Sequence, residues 1–328
     1  MSGTGLIDTA LDRSVIAGYT SVGYRIRDRA WDPGDLAPMD GQVVLVTGAT
    51  SGIGLAAAEG FAKLGASVRI LARDAQRGER TRAEIAARSG NCEVALELCD
   101  LSELTAIRGF AERFSTQEAR LDVLVNNAGV LTGERTLSAD GIELTFATNV
   151  LGPFLLTDTL MGLLERSTPS RVINVSSGGM YAQRLHVDDL EMAREEFDGP
   201  VAYARTKRIE VILTELWAER TKHAGVLVHS MHPGWVDTPG LAASLPRFHR
   251  LTRPLLRTPQ QGADTIVWLG AAREPTRSSG RFWHDRRARP THYLPWTRES
   301  AEERDRLWAE CERLTGIDRG PALRAGSP

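Results

Sequence analysis

An α/β fold, a single doubly wound parallel sheet with N- and C-terminal extensions, is predicted by three observations. Short apolar runs recur along the chain with helical patterns between them, the alternation expected of parallel strands with crossover helices. The first of these runs, at 43–46, turns directly into a glycine cluster, Thr47-Gly48-Ala49-Thr50-Ser51-Gly52-Ile53-Gly54. Polar residues gather at the carboxyl ends of the runs, where ligands sit in such sheets. The chain has 328 residues, 42% of them hydrophobic, enough to bury one large core.

The elements follow in order. Val43 to Val46 is apolar and mostly β-branched, as expected of a strand buried on both faces. Ala56, Ala57, Phe61 and Leu64 then mark a helix that stops at Gly65, and a second strand reads over 68–72. The two strands and the helix make a βαβ unit. Its glycines let the backbone turn tightly, and the helix N-terminus offers free N–H groups to a pyrophosphate. Their spacing is GxxxGxG rather than GxGxxG, so the turn alone is weak evidence. Further strands read over 93–98 (ending at Asp100), 121–125 (ending at Asn126-Asn127-Ala128-Gly129), 171–175 (ending at Ser176-Ser177), 225–230 (ending at His232-Pro233-Gly234) and 280–283. Residues 1–40 are read as an N-terminal extension, 41–290 as the Rossmann-type dinucleotide-binding and catalytic domain, and 291–328 as a C-terminal helix and tail. In the first extension, Val15-Ile16-Ala17 with Tyr19 and Tyr24 suggests an arm packed on its own domain. Residues 299–314 read as an amphipathic helix with Leu307, Cys311 and Leu314 on one face, covering the domain or a subunit interface. Residues 316–328 read as a frayed tail.

Tyr203 and Lys207 carry the chemistry. They stand four residues apart, on one face of any helix. Lysine is rare here, with only Lys63, Lys207 and Lys222 among 40 Lys plus Arg. An ammonium beside a phenol lowers its pKa from about 10 and makes it a usable proton donor or acceptor. Taken alone, the pair reads more readily as an exposed helical Tyr and Lys.

With its other motifs the chain resembles the short-chain dehydrogenase/reductase family. The matching segments are TGATSGIG at 47–54, Asp100-Leu101, NNAG at 126–129, Asn149 in TNVLG, Ser177, Tyr203 with Lys207, and Pro233-Gly234, in the family's order over about residues 40–285. VSSGGM at 175–180, SMHPGWVDTPG at 230–240, QGADT at 261–265 and SGRFWHDR at 279–286 narrow the resemblance to one subgroup. The resemblance implies that Tyr203 is the proton donor in carbonyl reduction. It implies that Lys207 lowers the phenol's pKa and binds the nicotinamide ribose, that Ser177 orients the substrate oxygen, and that Asn149 ends a water-linked proton path behind Lys207. Ser176 remains an alternative to Ser177. The cofactor is expected against Gly48, Thr50, Ser51, Gly52, Ile53, Gly54, Arg73, Asp100, Leu101, Asn127, Ala128, Gly129, Tyr203, Lys207, Pro233, Gly234, Val236 and Thr238.

Cofactor preference turns on the end of the second strand. NAD-preferring relatives carry an acid there. Ala72, 18 residues beyond Gly54, has no carboxylate, and Arg73 follows. A guanidinium suits a 2′-phosphate, so NADP(H) is expected ahead of NAD(H), with Asp74 as a competing ribose ligand. Asp100 is read as an adenine contact, an N-cap for the following helix, or both. Cys99, beside it at the cofactor edge, is a place for incidental oxidation.

The substrate side is less sharply written. Ser177 and Tyr203 are 26 residues apart, about twice the separation in many family members, and the extra polar, acidic segment (186–200) is expected to form a wall or rim of the cleft. After Gly234, Trp235, Leu241, Leu245, Phe248, Leu251, Leu255 and Leu256 alternate with Arg247, Arg250, Arg253 and Arg257. The family places a mobile lid here, and an ordinary packed helix is an equal reading. The apolar residues suggest a small apolar carbonyl or alcohol substrate, and the arginines an acidic group or plain solvation. His232 is expected to be structural, and His284-Asp285 is given no role. No metal ligand spacing occurs.

A net charge of −2 without a basic cluster argues against nucleic acid. Three cysteines without CxxC fit a reducing compartment, and no leader or apolar span is evident, so a cytoplasmic protein is expected. A homo-oligomer through the helices after Asn149 and carrying Tyr203 is possible, unless the extensions cover that surface. The functional expectation is an NADP(H)-dependent oxidoreductase. The alternatives are a catalytically silent NADP(H)-binding sensor or scaffold, which has no need of Ser177 and Lys207, and an extended-type epimerase or dehydratase, which needs a longer substrate domain.

Overall fold

A computed structural model of the chain describes Asp8, Leu11 and residues 14–317. Eight strands form one sheet in the order β3-β2-β1-β4-β5-β6-β7-β8. They are β1 (Val43–Thr47), β2 (Ser67–Ala72), β3 (Val94–Leu98), β4 (Val123–Asn126), β5 (Ser170–Val175), β6 (Val226–Met231), β7 (Arg281–His284) and β8 (Arg287–Arg289). All pair in parallel except β7 with β8. The strand order reverses between β1 and β4, and the crevice outside their carboxyl ends is where the functional residues collect.

Helices cover both faces. Helix α1 (Val15–Tyr19) and α2 (Ser21–Arg27) precede the sheet; α3 (Gly52–Lys63), α4 (Ala75–Ser89), α5 (Leu104–Gln117), α6 (Gly152–Thr159), α7 (Met161–Arg166) and α8 (Gly199–Arg220) alternate with its strands. Then come α9 (Pro239–Ser244), α10 (Pro246–Thr252), α11 (Pro259–Ala271) and α12 (Ala301–Thr315). On one face α3 and α11 pack Phe61, Ile266 and Leu269 over Val44, Val46 and Val125. On the other, α5, α6 and α8 pack Phe110, Phe154 and Ile212 over Leu45, Leu124 and Val172. Alternate residues of each strand thus feed opposite cores, which is why β1 is buried throughout.

The antiparallel β8 has no precedent in the sequence reading. Asp285 and Arg286 both take positive φ (50° and 55°), forming a two-residue turn of the kind that suits a hairpin's twist. That conformation is uncommon outside glycine, and buried ion pairs hold it. Asp285 accepts from Arg257 at 2.6 and 2.9 Å and from Arg27 at 2.7 Å. The side chain of Arg257 is only 1% exposed and also donates to the carbonyls of Gly18, Tyr19 and Pro233. Arg257 is therefore neither a substrate anion site nor solvated, unlike the exposed Arg247, Arg250 and Arg253. Asp285, which was given no role, is the acid on which the arm and the segment after Gly234 are anchored.

Within the described part of the N-terminal extension, the arm packs on its own chain. Arg27 donates to Asp8 at 2.8 Å, Asp8 also accepts from Arg289, and Tyr19 stacks edge-on against His232, Trp235 and His284. At the other end α12 begins with a capping box of Ser300 and Glu303. It buries Leu307, Trp308 and Cys311, with the Trp308 ring against Phe154 of α6 and Trp217 of α8. It thus covers the surface offered above for pairing two copies. Of the expected tail, 318–328 lie outside the described residues, and Gly316 is the left-handed cap of α12.

Candidate active site

A cleft of about 760 Å³ opens at the carboxyl ends of β1, β4 and β5. All but one of the residues expected at the site line it; Asn149 lies just behind the wall.

The glycine turn forms the cleft's first wall. A Cβ on Gly48 would lie 2.8 Å from the Cα of Ala128, and one on Gly54 would lie 2.4 Å from Nδ2 of Asn127. Gly48 and Gly52 also take positive φ, 63° and 56°, so glycine is required there twice over. Asn127 secures this contact by donating through Nδ2 to the carbonyls of Thr47 and Gly48, and the Thr47 hydroxyl accepts from the backbone N–H of Asn127 and Ala128. Thr47 was not singled out in the sequence; its place at the head of the glycine cluster was the available signal. Ser51 precedes α3 without a side-chain cap, which leaves the first N–H groups of that helix facing the cleft beside Thr50 and Ile53.

Further along the rim, Arg73 and Arg77 both line the cleft beyond β2. Among the described residues neither guanidinium is paired with a carboxylate. Arg77 was missed because it falls inside a helical pattern, one turn after Arg73. Asp74 is engaged elsewhere: it caps α4, accepting from the Arg77 N–H at 2.8 Å. Asp100 accepts from Ser102 N–H and Oγ, so it closes a local turn, and the N-cap of α5 is Glu103 instead. Leu101 lies against Gly152. Burial pushes the Cys99 thiol up to about 12, which keeps it protonated and removes the expected oxidation sensitivity.

At the other end, helix α8 brings Tyr203 and Lys207 to the cleft. Asp198 caps α8 and Pro200 stands in its first turn. The Lys207 Nζ lies 5.3 Å from the Tyr203 ring centroid, and it donates to the Val175 carbonyl at 3.0 Å and to Glu210 at 2.6 Å. Burial raises the phenol's pKa above its ordinary value; Lys207 pulls it back down, and Glu210 pushes it up again. The downward tuning expected from spacing alone is therefore outweighed here, chiefly by burial, with the carboxylate paired to the ammonium adding to it. Ser176 and Ser177 both line the cleft, but their hydroxyls differ. The Ser176 hydroxyl is buried and committed, donating to the Lys207 carbonyl at 2.8 Å, while Ser177 is the more exposed of the two.

Asn149 sits in a π-helical turn (Ala147–Leu151) and is fully buried, a feature frequent at functional sites. Its amide accepts from Val130 N–H and donates to the Val130 carbonyl and to Thr206 Oγ1. It ties the strand end after β4 to the helix carrying Tyr203.

The segment after β6 closes the site. His232 accepts from the Gly178 N–H at 3.0 Å and is kept neutral by burial, which bears out its structural reading. Gly234 has φ 83°, and a Cβ there would lie 2.3 Å from Arg257 Nε. Pro233 and Val236 line the cleft, and Thr238 lines it and caps α9. Trp235, Leu241, Leu245 and Phe248 present apolar surface to the same space, and Ser244 reaches across to the Leu131 carbonyl at 3.3 Å. The segment 186–198 does not line the cleft. It packs outside, where Glu195 pairs with Arg205 at 2.6 Å, Glu191 accepts from the Glu143 N–H, and Asp188 pairs with Arg306 of α12. Asp188 and Glu195 are thus answered by arginines of the scaffold, and Asp189, Glu191 and Asp198 by backbone N–H groups. Only Pro200, at the end of the segment, reaches the site.

The chain belongs to the short-chain dehydrogenase/reductase family: the family model for short chain dehydrogenases matches residues 42–247. It is an oxidoreductase acting on CH–OH and C=O groups. It is 44% identical to bovine dehydrogenase/reductase SDR family member 12, over 91% of this chain and 92% of that one. It is 37% identical to bovine retinol dehydrogenase 12, over 84% and 87%. Its fold is similar to that of an uncharacterized protein from Mycobacterium paratuberculosis (26% identity, TM-score 0.69, 87% and 97% covered). It is also similar to Pseudomonas aeruginosa RhlG solved with NADP (26% identity, TM-score 0.62, 74% and 94% covered). Among the described residues no helix is long and apolar enough to cross a membrane.

Proposed function

We propose that the chain transfers a hydride between NADP(H) and an apolar carbonyl/alcohol pair, with Tyr203 as the general acid/base. The observation that carries this reading is the convergence of the glycine turn, Ser177, Tyr203 and Lys207 on one cleft.

The residues fit a dinucleotide. Side chains at Gly48 or Gly54 would fill the cradle, and the uncapped start of α3 favours phosphate oxygens. Arg73, with Arg77 beside it, would hold a 2′-phosphate, since Asp74 is committed to its helix cap. Lys207 would hold the nicotinamide ribose with the N–H its two protein bonds leave over. When bound, the nicotinamide supplies or accepts the hydride.

The chain's own residues handle the proton. The Tyr203 hydroxyl has no hydrogen-bond partner among the described residues, so it is free to donate to a carbonyl oxygen or, in reverse, to accept from an alcohol. Ser177 orients that oxygen. Asn149 holds Val130 and Thr206, and through them the wall facing Tyr203. Trp235, Leu241 and Phe248 exclude water and select an apolar substrate. The resemblance to retinol dehydrogenase 12 supports an apolar aldehyde, ketone or alcohol.

Cofactor choice is tested by titrating the purified, cofactor-free protein with NADPH and NADH. NADPH is expected to bind at least about tenfold tighter, about 1.4 kcal/mol, and Arg73→Asp is expected to abolish that ratio. An unchanged ratio in Arg73→Asp would refute the assignment of Arg73.

A further inference from the structure

Glu210 takes no part in the chemistry above, yet it is bonded to the lysine at its centre. It lies one turn beyond Lys207 on α8. Its Oε1 accepts from Lys207 Nζ at 2.6 Å, and its Oε2, also buried, has no hydrogen-bond partner. Both side chains of the pair are under 10% exposed. Two of the three ammonium N–H groups are thus directed at Glu210 and the Val175 carbonyl, which aims the third at the cleft.

Among the described residues no charge besides Lys207 faces Glu210. On its own helix the ionisable neighbours are Lys207 and Tyr203. From β5 come the Val175 carbonyl and the Asn174 amide, the latter bonded to Thr214. From β6 comes the buried Ser230 hydroxyl, level with Asn174, and from the 147–151 turn the Asn149 amide, bonded to Thr206. A carboxylate with one buried, unpartnered oxygen is costly to keep ionised. Burial pushes the Glu210 carboxyl up to about 7, against the pull of Lys207.

Resting on the Tyr203–Lys207 reading, we propose that Glu210 is a positioning residue that fixes the Lys207 ammonium and, by exchanging one proton with solvent, switches the charge behind Tyr203. With Glu210 protonated, the Lys207 charge is uncompensated and Tyr203 is the stronger acid. With Glu210 ionised, the pair is neutral overall and the phenol holds its proton more tightly. Proton donation by Tyr203 therefore weakens as pH rises through about 7.

The test needs no substrate. Infrared difference spectra of the full chain between pH 6 and 8 report a buried carboxyl losing its proton. Absorbance titration, with Tyr203→Phe subtracted, reports the Tyr203 phenol. Wild type is expected to show a carboxyl band lost around pH 7 that is absent from Glu210→Gln. The phenol midpoint is expected to fall in Glu210→Gln by half a unit or more. A band that persists in Glu210→Gln, or a phenol midpoint that does not move, overturns the proposal. Should Glu210→Gln fail to fold, wild type and Glu210→Asp decide: no titrating carboxyl in wild type overturns it, and a band shifted in Glu210→Asp supports it. Turnover retained by Tyr203→Phe would sink the Tyr203 reading while leaving the carboxyl band in place, so the two failures are distinguishable.

Discussion

Asp285 shows what one side chain can determine. It is buried, strained in φ, and shared by Arg27 and Arg257, and those guanidiniums hold its carboxyl well below the ordinary range despite the burial. Removing it leaves the buried Arg257 guanidinium without a counterion and Arg27 with Asp8 alone, which costs about 3–5 kcal/mol. Asp285→Ala is expected to lower the thermal unfolding midpoint by several degrees and to loosen residues 235–257, read by faster amide exchange there. An unchanged midpoint would mean that the network adds nothing. Single residues were also where the sequence was easiest and hardest to read. Gly48, Gly54, Ser177, Tyr203 and Lys207 stood out because their chemistry is local and their spacing short. Arg257, Asp285 and Glu210 did not, because what defines each is burial and a partner: for Arg257 and Asp285 the partners lie far along the chain, and nothing in a KRIE tetrapeptide says that its acid points inward.

At the scale of elements, periodicity located the strands to within a few residues, since each buried strand is a run of apolar residues between polar ends. It failed for β8, where Arg287-Ala288-Arg289 has no apolar alternation and pairing comes from the hairpin turn. The 186–200 segment was also misplaced, because an acidic composition does not say which arginines and backbone N–H groups of the scaffold will answer it. The C-terminal helix was legible as amphipathic, but not what it covers. Its Trp308 closes an aromatic cluster with Phe154 and Trp217 and takes a cation over its face from Arg220. Trp308→Ala should cost about 3–5 kcal/mol and selectively raise amide exchange in residues 301–315. Uniform exchange throughout the chain would argue against this local role. Pairing of two copies through α6 and α8 would require α12 to move.

The molecule as a whole is built to be stable near neutral pH and to fail in acid. His229 and His284 are lowered by burial from 6.5 to about 4, and His232 well below 6.5. Each binds a proton more readily in the unfolded chain, so stability present above pH 6.5 is lost as pH falls through about 4. Asp8 and Asp285, also held below their ordinary value, add to the loss at lower pH. Glu210 acts with the opposite sign: its raised value favours the fold at low pH, and that contribution fades as pH rises from 4.5 through about 7. His292, also lowered to about 4, acts with the other histidines, while burial raises Glu97 and Asp264 as it does Glu210. The four histidines outweigh these carboxyls, of which Glu210 is the most displaced, so the unfolding midpoint should drop from pH 6.5 to 4. A midpoint flat across that interval would show that the histidines are not held neutral.

The central claim concerns Tyr203, and it is tested by following NADPH oxidation with a panel of apolar aldehydes and ketones, wild type beside Tyr203→Phe. Wild type is expected to turn over at least one of them. The variant should lose about 10²–10⁴-fold in rate while binding NADPH with a Kd within about threefold, roughly 0.7 kcal/mol. Turnover by Tyr203→Phe at the wild-type rate would contradict the account.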